Sequence, residues 1–424
     1  MSLLTVHMSS DGNKTWAPVW ELVRRGPFAR YIRGEAISMT GTWMQVMAQS
    51  WVVAELTQRA FLLGLVNFAS GIPMVALTIY GGIVADRYDK RKILMATQVA
   101  QILLAILLGT LVALRWIEIW HVMVVALIQG ISNAFEMPSA SALVPELVPR
   151  NHLPQAIAID RSVFHGTRLI GPALAGYVVG LWGPALAFYA NALSFVALII
   201  ALLTLAPRPH GSPEEEAHRR GGMKDGIAFV RADRPTMTMI GLMATATVFV
   251  FPVMIVMLPL YVKVVLGLGP DRMGVLMGAA ASGSLTGAIG LLAVRRDQRL
   301  LFMTSILCGI ALCLLGLSWT TSFGGAIACM VPLSWCVSSL IGLANTIVQE
   351  RAPDPLRGRV SAVASLSFFG LMPFAGLGIT SVSDWLGMRT CLALAGLAYG
   401  ALSLWIISRS FNDLRAPSFS HHPH

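Results

Sequence analysis

Twelve times along this 424-residue chain the side chains stay apolar for roughly twenty positions. A helix of that length rises about 30 Å, enough to cross a bilayer's hydrocarbon core. In lipid every backbone donor and acceptor must be satisfied within the protein, which leaves helices and closed barrels as spanning structures. The runs cover approximately 30–53, 61–84, 93–114, 119–143, 156–180 and 183–205, then 236–262, 272–294, 300–318, 322–348, 359–382 and 389–409. They predict an all-α integral membrane protein of twelve transmembrane helices in two six-helix bundles. Composition agrees: 55% of residues are apolar and only 12% charged, against about 25% charged in soluble domains.

Six spans precede and six follow the polar stretch "APRPHGSPEEEAHRRGGMKDGIAFVRADRP". The predicted order is an N-terminal segment 1–29, a first bundle 30–205, a linker 206–235, a second bundle 236–409 and a tail 410–424. Lysine and arginine crowd the loops on the side of the linker and both termini, and the other side holds only Arg59, Arg115, Lys263, Arg272 and Arg389. By the positive-inside rule both termini are cytoplasmic, in a multi-pass protein of the cell membrane. The net charge of +10 thus sets topology, and no soluble basic domain offers a nucleic-acid face. Trp16 and Trp20 beside Arg24 and Arg25 fit either a short interfacial helix or a plain tail.

All five cysteines lie inside apolar runs with no paired spacing, and the terminal "HHPH" is too short for a metal site. No cofactor and no metal are expected. No nucleotide loop or nucleophile motif is present, so an enzyme is not expected either. A monomer in the bilayer is expected.

The two halves echo one another. "GIVADRYDKR" at 82–91 aligns with "GLLAVRRDQR" at 290–299, and "PELVPR" at 145–150 with "QERAPD" at 349–354. Offsets near 200 residues indicate parallel repeats of six helices, an architecture that puts a binding site between the halves near the membrane midplane.

With glycine, three residues, Asp-Arg, two residues and paired bases between the second and third spans, the chain resembles the major facilitator superfamily. "LLGLVNFASGIPMVALTIYGGIVADRYDKRK", "PSASALVPELVPRNHLPQAIAI" and "RLIGPALAG" resemble its bacterial branch of enterobactin and multidrug exporters. The resemblance implies alternating access, with Gly82, Asp86, Arg87 and Arg91 as a conformational latch, or else a simple topological anchor. Related exporters place a base after the fourth span's proline; here Pro138, Ser139 and Ala140 follow one another, so Asp86 is expected to lack that partner. Gly171, Pro172 and Gly176 resemble the antiporter motif of the fifth span, which favours export; tight helix packing alone would select the same residues.

Ionisable residues within spans are costly and confined to the first half: Glu35, Glu136, Asp160, Arg161, His165 and Arg168. Arg161, His165 and Arg168 share one face of the fifth span at i, i+4 and i+7. Their expected partners are Glu136 and Glu35. Glu35 is the first candidate for a coupling proton, the alternative being a marker of the interface at the helix start. Glu136 and Arg161 read either as part of that network or as a structural ion pair. Gln45 and Gln49 in the first span, Asn345 and Gln349 in the tenth, and the methionines of the seventh suggest a cavity for an amphiphilic small molecule. A proton-driven exporter leads. A lysophospholipid flippase and a non-transporting receptor or scaffold are the alternatives.

Overall fold

The computed structural model describes residues 22–206 and 223–409. The expectations for Trp16, Trp20 and the "HHPH" end lie outside the described residues. The first bundle comprises α1 (Pro27–Leu56), α2 (Ala60–Arg87), α3 (Lys90–Ala113), α4 (Ile119–Leu143), α5 (Leu153–Trp182) and α6 (Pro184–Leu203). After the linker come a short α7 (Met223–Ala232), then α8 (Arg234–Phe249), α9 (Pro270–Gly290), α10 (Arg299–Trp319), α11 (Phe323–Arg351), α12 (Arg357–Phe369), α13 (Met372–Leu386) and α14 (Met388–Arg409). The seventh span is α8 with its continuation, and the eleventh is α12 with α13, so twelve helices cross the membrane in two bundles.

Ten spans are apolar enough to be recognised by length and composition alone. The other two, α1 and α5, carry much of the polar chemistry, which is tolerated in a span when it faces the protein interior.

Three local features depart from simple spans. In the stretch read as linker, α7 seats Gly226, Ile227 and Val230 inward against α12 and pairs Asp225 with Arg359 at 2.7 Å. Its ten residues are too short, and too interrupted by Lys224, Asp225 and Arg231, to register as a span. Beyond α8, Pro252 and Pro259 withdraw backbone donors, and the ladder widens to π-type bonds from Met257 to Pro252 (2.9 Å) and from Leu266 to Tyr261 (3.1 Å). The eleventh span breaks at Gly370 and Leu371, before Pro373.

Small residues set the spacing within the first bundle, as expected where lipid supplies no hydrophobic drive for helix association. Any side chain at Gly81 would collide with the Ala134 carbonyl of α4, and one at Gly130 with the Ser70 carbonyl of α2. Close approach belongs to Gly81 and not to Gly82, where an added Cβ meets nothing within 4 Å.

The bundles join chiefly through two helix pairs, α5 with α9 and α2 with α13. Both pairs meet through the halves that lie away from the linker. A Cβ at Gly176 would stand 2.8 Å from Gly274 Cα, a side chain at Gly64 would collide with Thr380, and Phe68 meets Phe374 edge-on at 5.4 Å. No comparable helix pair joins the bundles at the linker end among the described residues. The structure is therefore closed at the far end and parted toward the linker.

Candidate functional site

A cavity of about 200 Å³ lies near the middle of the spans. From α1 it takes Gln45 and Gln49, from α2 Asn67, from α3 Gln101, from α4 Gln129 and Asn133, and from α6 Asn191; the second bundle adds only Ile255 and Val256, from the π segment. None of the described residues lining it is titratable. The polar lining is pre-organised: Asn191 Nδ2 donates to Gln45 Oε1 (2.7 Å), Ser194 Oγ to Asn191 Oδ1 (2.9 Å), and Gln101 Nε2 to Asn133 Oδ1 (3.3 Å).

Gln45 and Gln49 line the cavity as the sequence suggested. Asn345 and Gln349 do not: they stand in the last two turns of α11 toward the linker end, and Gln349 is exposed. Nor do the methionines of the seventh span: Met239, Met243 and Met257 are buried in the packed core, Met254 packs against it, and Met237 is exposed. Asn67, Gln101, Gln129, Asn133 and Asn191 were missed. Gln129 and Asn133 do share one face of α4 with Glu136, at steps of four and three, and that periodicity was the available signal.

The buried charges gather beside this cavity. On α1 a polar face runs Glu35, Ser38, Thr42, Gln45, Gln49, again at helical steps. Gln98, fully buried on α3, receives a hydrogen bond from Ser38 Oγ (3.3 Å) and donates to Glu136 Oε1 (2.9 Å). Glu136 Oε2 is buried and has no hydrogen-bond partner. Glu35, Glu136 and Asp160 lie within electrostatic reach of one another, so three helices bring three carboxylates together.

The arginines do not complete that cluster as expected. No ion pair joins Arg161 or Arg168 to Glu35 or Glu136 among the described residues. The Arg168 guanidinium lies instead over the Trp43 ring, 5.4 Å from its centroid, while Arg161 and His165 are exposed. Of the face predicted for α5, Arg168 takes the Trp43 ring as its partner. Asp160 feels Arg161, its neighbour in sequence.

In the loop between α2 and α3, Asp89 caps α3 by accepting from the Arg91 backbone N–H (3.0 Å). Lys90 pairs with Glu146 of the α4–α5 connection at 2.7 Å. Asp86 is engaged and not left without a partner, although no base follows Pro138 to pair with it. Arg91 keeps Nε and Nη1 buried without a hydrogen bond. The second half repeats the device: Arg299 binds Glu350 through two contacts of 2.7 and 3.2 Å.

On α5 the three motif positions divide. Gly171 abuts Trp43 and the Thr40 carbonyl within its own bundle, whereas Pro172 and Gly176 face Gly274 of the other. Two further cross-bundle contacts escaped the sequence reading. Asp384 of α13 accepts from the first two backbone N–H groups of α2, and Lys263 Nζ donates to the Ala54 carbonyl near the end of α1 (2.6 Å). Asp384 lies just past the eleventh apolar run, among residues that the run pattern assigns to a loop.

Two bundles meeting around a midplane cavity define a transporter architecture. Residues 14–419 match the transmembrane secretion effector family, and the chain belongs to this family of major facilitator transporters. It is 24% identical to the staphyloferrin A transporter of Staphylococcus aureus over 84% of this chain and 90% of that protein. It is 22% identical to macrolide efflux protein A of Streptococcus pyogenes (90% and 95% covered), and 25% to the multidrug efflux pump Tap of Mycobacterium tuberculosis (88% and 90%). Among solved structures, a bacterial homologue of the human lysosomal transporter Spinster, inward-facing and unoccupied, superposes with a TM-score of 0.68 at 15% identity, covering 92% of this chain and 99% of that one. A D-xylose–proton symporter gives 0.68 at 13% identity, with 92% and 98% covered. The relatives support a multi-pass membrane transporter of efflux type.

Proposed function

We propose that the chain is a proton-coupled secondary exporter of amphiphilic small molecules, drug-like compounds or siderophores, working by alternating access. The observation that carries this is the juxtaposition of an uncharged midplane cavity with the carboxylates of Glu35, Glu136 and Asp160, of which Glu136 is tied to the cavity wall through Gln101. Among the described residues no cation acts on Glu35 or Glu136, and carboxylates so placed are neutralised most cheaply by protons. Glu35 is the proposed carrier, since its helix also lines the cavity. Gln101 touches both the cavity lining and Glu136, so substrate and proton compete through one side chain.

With both termini cytoplasmic, the described state is open to the cytoplasm and closed outside, ready to load an exported substrate. In the outward-open state Gly82, Asp86, Arg87 and Arg91 act as the latch that holds the cytoplasmic ends together, while Gly171, Pro172 and Gly176 form the α5 element that opens. Relatives named for siderophore, macrolide and multidrug transport support export. The exposed Arg161 and His165 favour a second reading, a lysophospholipid flippase whose headgroup would meet that basic face.

Reconstitution in vesicles tests the first reading. A pH gradient should drive efflux of an amphiphilic dye, and Glu35→Gln should abolish that drive while leaving the protein folded. Unchanged gradient-driven efflux in Glu35→Gln rejects Glu35 as the carrier; gradient-independent lipid movement supports the flippase.

A further inference from the structure

We infer that the midplane cavity selects an uncharged, oxygen-rich amphiphile, a ligand presenting hydroxyl, ether, ester or carbonyl acceptors on an apolar body, and discriminates against cations and carboxylates. The inference deepens the export reading and rests on it for the direction of movement, but not for binding.

The lining is polar without being charged. The Oε1 of Gln45 is committed to Asn191 and the Oδ1 of Asn133 to Gln101, so each of these amides has its NH₂ left to offer a ligand. Both are donors, and they call for acceptors. Gln49, Asn67 and Gln129 make no hydrogen bond among the described residues, and each presents one acceptor and two donors. A ligand that leaves these groups unmatched forfeits their hydration, while one bearing several neutral oxygens satisfies them together.

Charge is disfavoured on the same grounds. A cation or carboxylate entering here loses water and finds no opposite charge in the wall. Glu136 does not supply one, because it is not part of the cavity lining and its Oε1 accepts from Gln98. Val46, Val53, Leu63, Val66, Ile255 and Val256 add apolar surface, which suits an apolar body, and Thr42, Ser50 and Ser70 add neutral hydroxyls.

Equilibrium binding to the full chain in nanodiscs tests this with three probes that share a hexyl chain: hexyl β-D-glucoside, hexyltrimethylammonium and hexanoate. Calorimetry should show the glucoside binding at least about tenfold tighter than either ion. Gln129→Leu should weaken the glucoside about tenfold, while Gln349→Leu, outside the cavity, should leave it unchanged. Asn133→Asp, which keeps the shape and adds a charge, should bring the ammonium probe to at least the affinity of the glucoside. Equal or tighter binding of an ionic probe to the unaltered chain overturns the inference. So does a failure of the glucoside to bind, or an equal loss in Gln349→Leu. Because no gradient is applied, a chain that binds the glucoside yet exports nothing keeps this inference and rejects the proposed function.

Discussion

Asp384 of α13 caps α2 across the boundary between the bundles, accepting from Ala60 N (2.6 Å) and Phe61 N (3.1 Å). A carboxylate at a helix N-terminus gains from unpaired N–H groups and from the helix dipole together. The Lys263 ammonium on the Ala54 carbonyl, near the C-terminal end of α1, is its electrostatic complement at the same far end. Removing either should favour the state opened at that end. Asp384→Ala should cost the closed state about 1 kcal/mol, a shift of about fivefold in population. Spin labels at positions 59 and 389, in a cysteine-free background, should report a larger fraction of long distances.

The α5–α9 contact makes a sharper steric prediction. A Cβ at Gly274 would come within 2.6 Å of the Pro172 carbonyl, whereas one at Gly278 meets Ala173 Cβ at 3.6 Å, an ordinary contact. Gly274→Val should therefore part the bundles at the far end and cost about 1–3 kcal/mol of the closed state, as overpacking does. Gly278→Ala should leave the label distances unaltered.

Lys90–Glu146 and Arg299–Glu350 are matching devices in the two repeats, each tying the start of one helix to the far end of the helix that follows it. All four side chains keep partial access to solvent. Double-mutant cycles to alanine, read by thermal unfolding in detergent, should give a coupling of about 0.5–1 kcal/mol for each pair, reduced at high salt. A coupling of zero in both would reduce the loops to topological anchors.

Asp233 caps α8 through Thr236 N (3.1 Å) and is gripped by Arg351 Nε and Nη2 at 2.8 and 2.7 Å. Burial pushes its carboxyl up, but the hydrogen bonds from Arg351 and Thr236 outweigh this and hold it below its ordinary 3.8. A folded-state value below the unfolded one gives stability that is present above the unfolded value and disappears as pH falls through the folded one. Asp233→Asn should therefore be less stable than the parent at neutral pH, and the gap between the two melting curves should close below about pH 4. A gap that stays constant with pH would assign the loss to geometry and not to charge.

Much of the fold was legible because lipid imposes it. A span must be apolar for about twenty residues, so α2, α3 and α10 are visible as runs in the sequence. Loop bases then predict topology without any knowledge of packing. Where tertiary contacts replaced local rules, the sequence was a poorer guide. The π turns after α8 depend on how Pro252 and Pro259 are accommodated by neighbours, and α7 gains its place from α12 and Arg359. At the site, Glu35 and Glu136 stood out because charge in a span is rare. Gln101, Gln129 and Asn133 did not, because an amide in a helix reads the same whether it faces a cavity, a partner or lipid.

Composition and pattern alone give a chain that crosses the membrane twelve times, in two related halves, with the charged residues inside its spans in the first. Only the tertiary structure decided that Arg168 rests on Trp43 and not on a carboxylate, that Gly81 and not Gly82 takes the close contact, and that the cavity is walled by first-bundle amides. The physical reason is the range of the forces. Transfer to lipid acts on each segment separately and leaves its mark on composition. Hydrogen bonds and steric contacts act over a few ångströms between residues far apart in the chain, and exist only once the helices are packed.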